Sequence, residues 1–311
     1  MKYYFLFLFL LVFGTFSAIH FSSIRQPADA YAPALSPATV DEAIEQATGT
    51  ASPNAATASS TPISAKSFIS ETVDVMGNVR VITKKNSSAR LPIASITKLM
   101  TAIVAVNNYN LAEKITVPQE AANTKGSSRR LLPGQTFFIG DLLYPLLIES
   151  DNDAGIALAS KMETGRFVEL MNQEALKLGL ASTHYVNPTG LDPDDGLEPN
   201  YSTAEDIAKL AVVIARNYPN ILNIMSLKKF NLETAAGTFH HTLETTDKLL
   251  REPVPFRILG GKTGETPMAK KNLLLITASP RENSFAVVSV VLGSDDNFGD
   301  MKKLLTSSVS K

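Results

Sequence analysis

A chain of 311 residues, 44% of them hydrophobic, is long enough to bury a sizeable core as one large domain or two. Its 29 basic and 30 acidic side chains leave a net charge of -1 and no long run of like charge, which argues against a polyanion-binding surface and a nucleic-acid partner. There is no cysteine, so disulfides, thiol catalysis and cysteine-based zinc sites are excluded together.

After Lys2, an almost unbroken apolar run extends from Tyr3 to Phe21. It reads as a signal peptide or a single membrane anchor, and either sends the rest of the chain out of the cytoplasm. A cleavage-like Ala28-Asp29-Ala30 lies well past the run, so residues 1–30 are expected to be a cleaved leader or a retained anchor. Residues 31–64 are rich in Ala, Ser, Thr and Pro, carry no Lys or Arg, and read as a disordered linker or as part of a leader. The folded domain is expected over 65–311.

Two β-rich segments, Ser67 to Val73 and Val79 to Thr83, are joined through Met76-Gly77-Asn78, a hairpin signal. A proline-led loop then enters an apolar helix running to about Val106, and a short strand comes next at Lys114 to Val117. Leu132-Pro133-Gly134-Gln135 marks a turn before a helix from about Ile139 to Ile148, which Glu149 to Gly155 breaks. Further helices are predicted toward Lys161, over Phe167 to Leu178, and over Thr203 to Arg216, the last capped by Ser202 with Glu205 three residues on. Strands return at Lys228 to Glu233, Phe256 to Thr263, Leu273 to Ala278 and Phe285 to Leu292, before a closing helix from about Asn297 to Ser307. Strands at both ends with helices between them predict an α/β (α+β) domain with one sheet assembled from the two termini.

The chemistry-bearing stretch is Ser95-Ile96-Thr97-Lys98 at the start of the first helix. Residues three apart share a helix face, so the lysine amine can reach the serine hydroxyl and activate it as a nucleophile. An N-cap serine beside a solvated lysine gives the same pattern. Two further motifs come in order: Ser150-Asp151-Asn152 in a helix-breaking loop and Lys262-Thr263-Gly264 on a strand after Gly260-Gly261. The ordered trio resembles that of class A β-lactamases and penicillin-binding proteins. Its chemistry is coherent. Ser95 attacks a carbonyl and Lys98, kept partly neutral by burial and neighbouring cations, takes the proton. Ser150 relays a proton to the leaving amine, Asn152 orients the substrate backbone, and Lys262 and Thr263 meet a carboxylate. Gly264 permits close backbone approach, and the N–H groups of Ser95 and Glu265 form an oxyanion hole.

The likeness extends to Pro92-Ile93-Ala94, Leu132-Pro133-Gly134, Asp141-Leu142-Leu143-Tyr144, His184-Tyr185-Val186-Asn187-Pro188-Thr189-Gly190-Leu191 and Ser202-Thr203-Ala204. From about Lys66 to Thr306 the chain resembles the serine-type D-alanyl-D-alanine carboxypeptidases, low-molecular-mass penicillin-binding proteins. The resemblance implies a β-lactamase/DD-peptidase-like fold: a mostly antiparallel sheet of N- and C-terminal strands with a helical cluster inserted. It also implies acyl transfer on the D-Ala-D-Ala end of peptidoglycan stem peptides through a Ser95 acyl-enzyme, with β-lactams as covalent inhibitors and neither metal nor cofactor. Terminal D-Ala removal and cross-link cleavage use the same pocket, so both remain open.

Two departures stand out. Family members often carry an arginine on the strand equivalent to Phe285 to Leu292 to hold the terminal carboxylate, and this strand has none. Lys262 and Thr263 then suffice, or Arg281 contributes. Many members continue into a small β domain with a C-terminal anchor, which this chain lacks, so membrane contact is expected only through the N-terminal segment.

Rival readings fit less well. A class A β-lactamase needs Glu-x-x-Leu-Asn, and no glutamate after Ser150 fits. A non-catalytic peptidoglycan or β-lactam sensor would keep the pocket without turnover. Gly261-Lys262-Thr263 is no P-loop, since Phe256 stands where its first glycine belongs. The four histidines form no zinc pattern, His240 and His241 read as a solvated strand or turn, and Arg129-Arg130 and Lys270-Lys271 read as ordinary solvated charges.

Overall fold

The computed structural model describes residues 62–309, apart from 124–125, 127–129, 195 and 280–283. The leader, nearly all of the linker, and Arg129 and Arg281 lie outside the described residues. At the linker's end, Ser64 and Ala65 already donate their backbone N–H groups to the Asp300 carboxylate, at 3.0 and 2.9 Å.

The chain enters through β1 (Ser67–Asp74) and turns back as β2 (Val79–Lys85). A short β3 (Leu91–Pro92) leads into a 3-10 turn (Ala94–Thr97) that runs directly into α1 (Lys98–Asn108). From Leu99 to Ala105 every side chain of α1 is buried. A helix apolar on all sides belongs inside a core, and this one passes through the middle of the helical region. β4 (Lys114–Thr116), α2 (Gln119–Asn123) and β5 (Thr136–Phe138) come next, then α3 (Ile139–Tyr144).

The single helix predicted to Ile148 is divided at Pro145, which has no N–H to continue the ladder. Residues Pro145–Glu149 form a π-turn instead. Such turns are rare and cluster at functional sites. α4 (Asn152–Ser160) and α5 (Thr164–Lys177) succeed it, then β6 (Tyr201–Ser202) and α6 (Ala204–Asn217). The predicted cap of α6 is corrected by one residue: Thr203, not Ser202, accepts the Asp206 N–H at 3.0 Å. Ser202 is still in β6, where its hydroxyl meets that of Thr183, and Glu205 turns away to accept from Ser87 and Lys84.

After α7 (Pro219–Ser226) come β7 (Lys229–Glu233), β8 (Phe239–Glu244), α8 (Lys248–Arg251), β9 (Ile258–Thr266), β10 (Lys270–Ala278), β11 (Ser284–Ser294) and α9 (Asn297–Val309). The main sheet is antiparallel throughout in the order β2-β1-β11-β10-β9, so N- and C-terminal strands meet at β1 and β11 as expected. β7 does not join it. With only Leu232 buried it has one half-apolar face, and it closes locally on β8 as a separate hairpin.

One face of the sheet carries Leu273, Leu275, Val287 and Val291 against Met301, Leu304 and Leu305 of α9. The other presents Ile69, Leu274, Val288 and Val290 to the helical cluster. Burying each such side chain is worth about 1.5–3 kcal/mol, and the alternation fixes the strand register because a one-residue slip would exchange the two faces. A cleft opens where the start of α1, the loop before α4 and the edge strand β9 converge.

Candidate active site

Ser95 sits in the 3-10 turn directly after Ala94, a non-glycine residue held at φ +47°. That strained conformation is kept by its surroundings. The Ile93 N–H donates to Asn200 O, and Gly190 lies so close to Ala94 O that any side chain there would collide with it. The turn makes Lys98 the first residue of α1 and buries it completely.

Lys98 Nζ is 2.8 Å from Ser95 Oγ, 2.7 Å from Asn152 Oδ1 and 2.7 Å from Thr189 O. Burial pushes its pKa well below the ordinary lysine value, the neighbouring Lys262 charge adds to this, and Asp151 opposes it. Two of the three contacts are to carbonyl oxygens, which can only accept. A neutral amine at Lys98 therefore spends both N–H groups on them and presents its lone pair to the Ser95 hydroxyl. This is the arrangement a general base requires.

Ser150 comes directly after the π-turn with φ +62°, again unusual for a side-chain-bearing residue. Its Oγ accepts from Lys262 Nζ at 2.8 Å. Asp151 is the N-cap of α4, accepting the Ala154 N–H at 2.9 Å, so Asn152 starts that helix at a fixed angle. Asn152 donates its amide N–H to Gly126 O while its oxygen faces Lys98.

Lys262 is buried on β9 and donates also to Thr263 O at 2.9 Å. Burial lowers its pKa to about 7 against an opposing pull from Asp247. Gly264 brings β9 against the serine turn: a Cβ there would sit 2.8 Å from Ile93 O and 3.1 Å from Ser95 N. Ser95, Ser150, Thr263, Gly264 and Glu265 all line one cleft of about 380 Å³.

The eight residues singled out from the sequence thus converge on one place: five line the cleft, and Lys98, Asn152 and Lys262 hydrogen-bond into its floor. Several neighbours carry no motif and had no expected role. Thr246 hydrogen-bonds Thr263, hydroxyl to hydroxyl at 2.6 Å, and Lys248 lines the cleft beyond it. Asp247 between them is buried, which raises its carboxyl to about 6, and its Oδ2 has no hydrogen-bond partner among the described residues. Thr189 stands in a segment whose family likeness is visible, but its backbone contact to Lys98 has no side-chain signature. Among the described residues no three His, Asp or Glu side chains gather as a metal site.

The expectation of solvated charges is corrected in part. His240 and His241 are half-buried and hydrogen-bonded rather than solvated, whereas Arg130 is exposed as expected, although the Glu149 it pairs with is largely buried. Lys270 does stay at the surface, where it pairs with Asp295.

Residues 54–296 match the family model for D-alanyl-D-alanine carboxypeptidases. The chain belongs to that carboxypeptidase family. It is 32% identical over 230 residues to the D-alanyl-D-alanine carboxypeptidase DacF of Bacillus subtilis, a match covering 69% of this chain and 54% of the relative. It is also 31% identical to a D-alanyl-D-alanine endopeptidase of Pseudomonas aeruginosa, over 72% of each protein. Among solved structures, ampicillin-bound penicillin-binding protein D2 of Listeria monocytogenes superposes with a TM-score of 0.66 at 27% identity, over 80% of this chain and 99% of that one. The family assignment agrees with the β-lactamase/DD-peptidase-like architecture. The chain spans little more than half the length of the carboxypeptidase relative.

Proposed function

We propose that this chain is a serine DD-peptidase acting on the D-Ala-D-Ala end of peptidoglycan stem peptides, with terminal D-Ala release as its main reaction. One observation carries the reading: a fully buried lysine with two fixed carbonyl acceptors aims its remaining valence at Ser95 Oγ. In the first step Ser95 Oγ bonds to the penultimate D-Ala carbonyl carbon and its proton passes to Lys98 Nζ. The oxyanion that develops is met by the N–H groups of Ser95 and Glu265. As the C–N bond breaks, the departing D-Ala nitrogen takes the Ser150 hydroxyl proton, which the Lys262 ammonium 2.8 Å away replaces. Water then cleaves the Ser95 ester. A β-lactam undergoes the same first step, but its leaving nitrogen stays tethered and the ester persists.

The substrate's terminal carboxylate is assigned to Thr263 and Thr246, with Lys262 below and Lys248 on the cleft wall supplying positive charge. Lys248 thereby takes the part of the arginine that β11 does not carry. Cleavage of cross-links on the same scaffold is the second reading, favoured by the similarity to endopeptidases over most of both lengths. Peptidoglycan lies outside the cytoplasm, so the domain works there in this reading, delivered by the apolar segment from Tyr3 to Phe21 as a leader or an anchor. No helix among the described residues is long and apolar enough to cross a membrane.

The test is a time course of intact mass for the full-length chain with benzylpenicillin, with Ser95→Ala as control. A long-lived adduct on Ser95, followed by measured D-Ala release from a D-Ala-D-Ala peptide, is the expected result. An adduct that vanishes as penicillin is consumed points to a β-lactamase. No adduct at all overturns the assignment of Ser95 and Lys98.

A further inference from the structure

Next to Ser150 along the chain, through Glu149, stands a cluster that the reaction scheme does not use. His240 Nδ1 and His241 Nδ1 are 2.6 Å apart. His240 Nε2 is 3.1 Å from Gln135 Oε1, and His241 Nε2 is 3.1 Å from Glu149 Oε2. Glu149 Oε1 in turn accepts from Arg130 Nη1 at 2.5 Å and from the Glu244 N–H at 3.3 Å. Glu149 is the last residue of the π-turn, covalently next to Ser150.

Proton counting fixes the charge of this cluster. Gln135 Oε1 also accepts the Leu132 N–H, so it is an amide oxygen and His240 Nε2 must carry a proton to bond it. Glu149, ion-paired to Arg130, is a carboxylate, so His241 Nε2 must carry a proton as well. The Nδ1···Nδ1 contact then needs one proton between two nitrogens: with none, two lone pairs face each other, and with two, two N–H groups do. All three contacts are satisfied only when the rings share three protons, which is a single positive charge for the pair. The groups facing it are Glu149 and Arg130 from the loop side and Asp151 from the start of α4. Burial first, then the neighbouring His241, lower the pKa of His240, and Asp151 opposes them.

We infer that the singly charged His240–His241 pair, through Glu149, is a positioning device that holds Ser150 in its left-handed conformation and keeps its hydroxyl on Lys262. Ser150 at φ +62° is strained backbone for a residue with a side chain, and it persists only while its neighbours over-determine it. Three contacts do so from the β8 side: His241 to Glu149, the Glu244 N–H to Glu149, and the Thr246 N–H to Ile148 O at 3.1 Å. Loss of the shared proton turns the Nδ1 contact repulsive and detaches one of these ties. Ser150 relaxes, and its Oγ leaves the 2.8 Å contact with Lys262. His240 and His241 touch no reacting atom; they act through Glu149. The inference rests on the DD-peptidase reading for its kinetic consequence only.

Two measurements on the full-length chain test it. The first is ¹⁵N NMR of the histidine rings, assigned with His240→Gln and His241→Gln. At neutral pH the pair is expected to show three protonated nitrogens and one bare one; two of each, a neutral pair, overturns the proposal. The second is the rate of Ser95 acylation by a fluorescent penicillin across pH. The wild type is expected to slow about tenfold as the pair loses its proton, the size of one charge-assisted hydrogen bond. His241→Gln is expected to be slow throughout and to lack that inflection. A wild-type profile indifferent to the pair's titration, or wild-type rates in His241→Gln at every pH, overturns the positioning role. Failure of every form to be acylated sinks the DD-peptidase reading instead, and the proton count still decides whether the pair shares a charge.

Discussion

The Asn152 amide oxygen lies 2.7 Å from Lys98 Nζ, joining the second motif to the first inside the protein rather than through substrate. Because this oxygen can only accept, it dictates which way a neutral Lys98 points its lone pair. Asn152→Ala leaves the amine free to rotate its N–H toward Ser95 and removes an amide that would meet the substrate. Ser95 acylation is expected to fall about a hundredfold, as misplaced catalytic groups do, with the fold intact. Acylation rates and a thermal melt of the same sample check this; a near-wild-type rate would remove Asn152 from the base-orienting role.

Lys248 offers a test of substrate direction. It lines the cleft beside Thr263 and lies over the Phe298 ring, with its nitrogen 5.6 Å from the ring centre. Lys248→Ala is expected to raise KM for a D-Ala-D-Ala peptide about fivefold, the ordinary size of a solvent-exposed ion pair, with little change in kcat. A peptide with an amidated C-terminus should be insensitive to the substitution. An equal effect on both peptides would show that Lys248 does not read the carboxylate.

Much of this site was legible because its motifs obey local geometry. Ser95 and Lys98 are three residues apart where a helix begins, and the glycines before Lys262 mark a strand packed closely on one side. Sheet closure was legible too, since β10 and β11 carry apolar runs and β1 is a β-rich segment leading into a hairpin turn. What escaped depends on tertiary contact. Thr246 and Lys248 belong to the site only because the turn after β8 lays Thr246 on Thr263 of β9. His240 and His241 are an ordinary polar pair until β8 lays them on Gln135 and Glu149. Pro145 signals a break in a helix but not that the break becomes a π-turn, and the α6 cap moved from Ser202 to Thr203 because β6 retains Ser202.

Glu71 ties stability to pH. It is buried on β1 near Glu205, and burial first, then that second carboxylate, raises its pKa to about 7 against the pull of Lys209. A carboxyl whose folded pKa lies above its unfolded value of 4.5 stabilises the fold fully below that value, and the contribution is lost as pH rises through about 7. The loss is of order 3 kcal/mol. Glu71→Gln is expected to flatten the fall in melting temperature between about pH 5 and 8 and to exceed the wild type at the upper end of that range. Parallel curves for the two proteins would show that Glu71 is charged, or exposed, in the folded state.

The proposed first step needs Lys98 and Lys262 in opposite protonation states, and this shapes the expected pH profile. Lys98 acts neutral, so its competent fraction grows as pH rises, from a starting point that burial has already moved well below the ordinary lysine range. Lys262 acts charged, meeting the carboxylate and reprotonating Ser150, and its charge is lost as pH rises through about 7 in the free enzyme. The profile of kcat/KM is therefore a bell whose descending limb near 7 belongs to Lys262. Lys262→Arg, which stays charged, should remove that limb and leave only the roughly tenfold step of the histidine pair, whereas His240→Gln/His241→Gln should remove the step and keep the lysine limb, which separates the two. A bound carboxylate stabilises the ammonium, so the limb should move upward in kcat relative to kcat/KM. A descending limb unchanged in Lys262→Arg would assign it to another group and leave Lys262 a structural lysine.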